Sequence, residues 1–218
     1  SSPACMRPKS WVIDRLSPDS SLTIGDRDIR LDPDYLKGLN EAERGLVTFR
    51  LFEADALVAE AEHEIRVLAR DEWGGMEAGG ELLGAFVMPN DPAVASVLKD
   101  ASKVLEQHGH SSELDGYQSR DPQRAWLLVA ALWSSVASRS LTYANPPGSF
   151  EDVGQKTRQP SAILSKGLAT CLDSTLLFAA TIEAVGLNPV IMMLKGHCFV
   201  GVWLVEKTFR SLIESDCS

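Results

Sequence analysis

The chain has 218 residues, 44% of them hydrophobic and 23% charged, an ordinary globular composition for one large domain or two small ones. Its net charge is −9 and no block of Lys or Arg stands out. Direct nucleic-acid binding is therefore not expected, because a phosphate grip needs clustered positive charge.

Residues 1–30 are polar and interrupted by Pro3, Pro8 and Pro18, and they read as an extended arm. Asp32-Pro33 has the form of a helix start, with Tyr35, Leu36 and Leu39 as a short apolar face. From Leu46 the period changes. Residues 46–52 alternate and are rich in β-formers, Glu53-Ala54-Asp55 makes a turn, and residues 56–59 and 65–68 follow as further strands. A small antiparallel sheet or sandwich-like module results. The charges of residues 60–64 suit an exposed edge. Helix competes over residues 54–70, where Ala and Glu are strong helix formers.

Trp73-Gly74-Gly75 and Gly79-Gly80 mark a loop and a module boundary, giving a β-rich module over residues 1–75 and a second domain over 76–218. Asp91-Pro92 starts a helix whose Val94, Val97, Leu98, Ala101, Val104 and Leu105 share one face, and which ends near His108-Gly109. Asp121-Pro122 starts another, broad in its apolar face and central to a core. Asn145-Pro146-Pro147-Gly148 halts regular structure, and residues 161–164 form a short helical turn. Thr170 then caps a helix that runs to Val185, with Gly186 as its terminator. Residues 190–194 form a buried strand, Lys195-Gly196 turns the chain, and His197 opens a second strand through Val205.

Four cysteines, Cys5, Cys171, Cys198 and Cys217, are irregularly spaced and include no CxxC. That argues against a disulfide framework and for a reducing compartment. No secretory leader opens the chain, and the longest strongly apolar run, residues 125–133, falls far short of the ~18 residues a membrane span needs. A cytoplasmic location follows, with no membrane partner. The chain starts at Ser1 and stops at Ser218 without a closing element, so a piece of a longer protein is expected.

The pairing of Cys171 with His197 carries the chemistry. A thiol in the first turn of a helix sits among unpaired N–H groups that favour the thiolate and can receive a developing oxyanion. Helix-then-hairpin order can bring an imidazole to it as the base. Taken alone, Cys171 would be a small buried hydrophobe. A third group should orient the imidazole; Glu206 lies too far along the strand, leaving Asp216 or a residue beyond the end of the chain. Zinc competes, with Cys171, His197, Cys198 and Cys217 as ligands, but adjacent His197 and Cys198 point to opposite strand faces, so no metal is expected. His108 and His110 read as loop residues. With no GxxxxGK[ST] and no GxGxxG, no nucleotide cofactor is expected either.

At these residues a likeness emerges. Gly167-Leu168-Ala169-Thr170-Cys171-Leu172-Asp173, followed by Lys195-Gly196-His197-Cys198-Phe199, resembles the transglutaminase-like cysteine protease superfamily. More of the chain resembles the N-terminal region of large bacterial proteins that carry helicase-like and restriction-endonuclease-like domains further along. That likeness rests on Glu72-Trp73-Gly74-Gly75, Ala85-Phe86-Val87-Met88-Pro89-Asn90-Asp91, Gly116-Tyr117-Gln118 and residues 143–158. The resemblance implies an α+β fold with a papain-like core of helices plus antiparallel sheet, behind a small β-rich module. It implies Cys171 as nucleophile, His197 as base, and a protein or peptide substrate. Gln155 becomes a possible oxyanion contact, its alternative being a turn-stabilising amide. The implied function is a thiol-dependent amide hydrolase or acyl transferase at the front of a DNA-processing or defence protein. The alternative is a non-catalytic sensor or scaffold that regulates the helicase or nuclease.

Overall fold

The computed structural model describes residues 5–25 and 28–214. The chain divides into two compact units, residues 1–70 and 71–218. The division falls before Trp73 rather than after Gly75, because Glu72 and Trp73 pair with Lys156 and Gln155 and so belong to the second unit. The architecture is mixed α+β, and among the described residues every sheet has two strands.

In the first unit Asp32 accepts the N–H groups of Asp34 and Tyr35 at 3.0 Å, and Pro33 opens helix α1 (Pro33–Gly38). The arm is fastened to it by a Met6–Leu31 bridge and by the Asp32 N–H on the Cys5 carbonyl at 2.8 Å. Strands β1 (Glu43–Glu53) and β2 (Ala56–Val67) form one long antiparallel ribbon, with the Ala54-Asp55 turn at its tip and a bulge at Leu51/Phe52. The sequence reading of two short strands after the turn is corrected here. Alternation continues through Glu60, Ala61, Glu62, His63 and Glu64, so the two fuse into one. Helix loses to this ladder, in which Arg50 pairs with Glu60 across the strands at 2.5 Å.

In the second unit, strand β3 (Glu72–Trp73) leads through a 3₁₀ turn (Gly80–Phe86) to α2 (Pro92–Gln107) and α3 (Pro122–Ala137). Asp91 and Asp121 cap these two helices from just ahead of their first-turn prolines. Then come β4 (Thr142–Tyr143), α4 (Phe150–Val153), β5 (Gln155–Lys156), α5 (Pro160–Lys166) and β6 (Leu168–Ala169). Helix α6 (Cys171–Ala184) and the hairpin of β7 (Pro189–Leu194) and β8 (His197–Val202) complete it; β8 ends earlier than its apolar run.

Two apolar clusters hold this unit. The larger joins α2, α3, α5 and α6 through Val97, Leu128, Leu132, Ile163, Leu177 and Ile182, all at most 2% exposed. The smaller gathers Trp73, Leu83, Phe150, Cys171, Leu172, Leu176 and Cys198. Among the described residues no helix is long and apolar enough to cross a membrane.

Candidate thiol site

Cys171 is the first residue of α6, as the sequence indicated. Thr170 and Asp173 form a reciprocal capping box: the Thr170 hydroxyl accepts the Asp173 N–H at 3.2 Å, and Asp173 accepts the Thr170 N–H at 2.9 Å. The Asp173 carboxylate is fully buried and also accepts the backbone N–H of Arg158 at 2.7 Å and its Nη1 at 2.6 Å. The start of the helix is therefore fixed both by its own cap and by a distant segment.

Gln155 lies at the same helix end. It is buried, and its side-chain amide donates to the Thr170 hydroxyl at 3.0 Å. The segment just before it is fixed by an interlocked pair of loops. Gly75 and Gly154 both adopt left-handed backbone, with φ of +85° and +80°. A Cβ on Gly154 would fall on the Trp73 carbonyl, and one on Gly75 on the Asp152 carbonyl. Only glycine permits both the dihedral and the approach. The Met76 N–H on the Glu151 carbonyl at 2.8 Å completes the lock.

Tyr143 is a residue the sequence reading did not single out for the site. Strand β4 runs parallel to β6, pairing Tyr143 with Ala169 just before the cap. Its hydroxyl lies in reach of both the thiol and the peptide N–H of Cys171, and desolvation, then the contact with the thiol, raises its pKa. A tyrosine two residues before Asn145-Pro146-Pro147 carried no signal of this contact.

His197 and Cys198 do point to opposite faces of β8, and the consequence is specific. Cys198 is 2% exposed, packs with Cys171 in the apolar cluster, and receives the Thr175 hydroxyl at 3.5 Å. Burial pushes its thiol up to about 12; Thr175 lowers it and the Cys171 thiol raises it further. His197 is exposed and stacks on Phe199, with ring centroids 6.4 Å apart. Among the described residues no hydrogen bond joins Cys171 to His197. The structure thus brings Gln155, Tyr143 and Cys198 to Cys171, which is itself 4% exposed, and leaves His197 on the other face. Asp216 and Cys217 lie outside the described residues.

Three buried polar atoms around this cluster have no partner: Trp73 Nε1, Gln155 Oε1 and Glu151 Oε2.

No family model, curated protein or solved structure matches the chain.

Proposed function

We propose that residues 71–218 form a transglutaminase-like domain acting as a thiol-dependent amide hydrolase or acyl transferase on a protein or peptide. We place it at the front of a larger, cytoplasmic DNA-processing or defence protein with helicase-like and nuclease-like domains. One observation carries the reading: Cys171 stands in the first turn of a doubly fastened helix, with the buried Gln155 amide on its cap. The Cys171 thiol gives its proton to His197 and the thiolate attacks the amide carbonyl, whose oxygen is received by N–H groups at the helix start and by Gln155; the C–N bond breaks as His197 returns that proton to the leaving amine, and water or an acceptor amine then takes the acyl group from sulfur. For this His197 must swing away from Phe199. It occupies the last rung of the hairpin, opposite Leu194 beside the Lys195-Gly196 turn.

Iodoacetamide labelling between pH 5 and 8 tests the reading. Selective modification of Cys171 well below the ordinary thiol pKa of ~8.5, abolished in His197→Ala, is the expected result. Equal labelling of all four cysteines counts against it.

A second reading, a non-catalytic sensor or scaffold, is favoured by the same strand: His197 lies on the face away from the thiol, which Cys198 faces instead. That reading gives no labelling of Cys171 until the chain unfolds, and no effect of His197→Ala.

A further inference from the structure

In an antiparallel ladder, cross-strand partners stand on the same face and neighbours along a strand on opposite faces. That rule sorts the β1–β2 ribbon into two unlike faces. On one, Val47, Phe49 and Leu51 stand opposite His63, Ala61 and Ala59. On the other, Arg50 stands opposite Glu60, Thr48 opposite Glu62 and Arg44 opposite Arg66. The first face has no Lys, Arg, Asp or Glu from the Gly45–Ile65 rung to the Leu51–Ala59 rung, yet Phe49 is 56% exposed and Leu51 45%. A lone two-stranded ribbon is marginal in water, and a long one needs its apolar face covered.

The face selects its cover. Its bulky row lies on β1 and its small row on β2. When two such ribbons face each other about a two-fold axis along their length, β1 of each copy lies over β2 of the other. Phe49 then seats over Ala61 of the second copy, and Leu51 over Ala59, at the ~10 Å spacing of packed sheets. Edge-to-edge pairing is opposed by charge. A β2–β2 pairing centred on Glu62 sets Glu60 against Glu64, and a β1–β1 pairing centred on Val47 sets Arg44 against Arg50. A lipid surface is opposed as well, since the chain carries a net charge of −9 and Glu60, Glu62 and Glu64 lie on the reverse of the same strand.

We propose that the β1–β2 ribbon is a dimerisation surface for a second copy of this chain, the two packing apolar face to apolar face with bulky rows on small rows. Seven rungs of a two-stranded ribbon make a face about 24 Å long and about 10 Å wide. With side-chain relief this is roughly 500 Å² per copy, near the lower limit for specific association, so a Kd on the order of 10–100 μM follows.

Sedimentation velocity of the 218-residue chain, from about 1 μM to about 1 mM, spans that Kd and tests the surface. Phe49→Ala and Ala61→Phe should each raise the Kd about tenfold, the first by emptying the contact and the second by setting ring on ring. The double swap keeps the cross-strand pair within each ribbon and restores bulky on small, so its Kd should return to within about threefold of the parent value. Leu51→Ala with Ala59→Leu repeats the test at the next rung, so that one poorly folded variant leaves it decidable. Circular dichroism identifies any such variant. Glu62→Gln, on the outward face, should change nothing. A chain that stays monomeric throughout, an association indifferent to both rungs, or swaps that fail to restore it overturns the proposal. Tightening by Glu62→Gln would assign association to a strand edge, and a monomer that floats with phosphatidylcholine vesicles would assign the face to lipid; either result also overturns it.

Discussion

Asp173 and Arg158 meet twice, through the backbone N–H of Arg158 at 2.7 Å and through its guanidinium at 2.6 Å, and the carboxylate between them is wholly buried. The same carboxylate closes the cap over Cys171. Asp173 is therefore the post on which the helix start and the 155–158 segment both hang. Asp173→Ala removes three charge-assisted bonds, one from the Thr170 N–H in the cap and two from Arg158, and should lower stability by about 3 kcal/mol. Arg158→Ala leaves the backbone bond in place and the carboxylate capped, so about 1 kcal/mol is expected. Urea unfolding followed by circular dichroism decides. Equal losses for the two variants would show that the guanidinium, not the cap, dominates.

The loop lock gives a sharper contrast. Gly154→Ala demands left-handed backbone from a non-glycine residue and drives its methyl into the Trp73 carbonyl. A loss of about 3 kcal/mol or more is expected, against less than about 0.5 kcal/mol for Gly148→Ala, whose Cβ meets nothing within 4 Å. Both are single-methyl changes in the same stretch of chain, so the difference isolates the close approach. Comparable melting temperatures for the two variants would refute it.

These two relationships separate what the sequence displayed from what it concealed. Asp91-Pro92, Asp121-Pro122 and Thr170-x-x-Asp173 are local signals: each side chain caps a backbone a few residues away, so reading them needs no knowledge of the fold. The positions of α2, α3 and α6 follow from them. The Asp173–Arg158 and Gly75–Gly154 contacts join distant segments and leave no spacing to detect. The face of β8 was half legible. Period-two alternation places His197 and Cys198 back to back, but Cys198, Val200 and Val202 against Phe199 and Trp203 is apolar on both sides, and only packing on α6 chooses between them. Tyr143 was invisible for the same reason, since its approach to Cys171 depends on the pairing of β4 with β6.

Tyr117 joins the start of β7 to the chain that leaves β8. Its hydroxyl donates to the Trp203 carbonyl at 2.5 Å and accepts the Asn188 N–H at 3.1 Å. Tyr117→Phe deprives both partners of that hydroxyl while keeping the ring's packing, and should cost about 1–3 kcal/mol. The local signature is hydrogen exchange at the Asn188 amide, which should accelerate more than amides in the middle of α2. Uniform acceleration across the unit would indicate global destabilisation instead.

The thiol of Cys198 makes stability depend on alkaline pH. Burial pushes its pKa from 9.0 up to about 12. A thiol is neutral when protonated, so the folded chain holds this proton more tightly than the unfolded chain does. The contribution is complete below the unfolded value and disappears as pH rises through the window from 9.0 to about 12. Unfolding free energy measured by urea at intervals from pH 7 to pH 11 should be flat with respect to this group at first, then slope downward above about pH 9. In Cys198→Ala the alkaline slope should flatten. Cys5→Ala, a buried cysteine in the other unit, should keep it. An alkaline slope identical in Cys198→Ala and the parent chain would mean that this thiol shares its environment with solvent and is not held beneath α6.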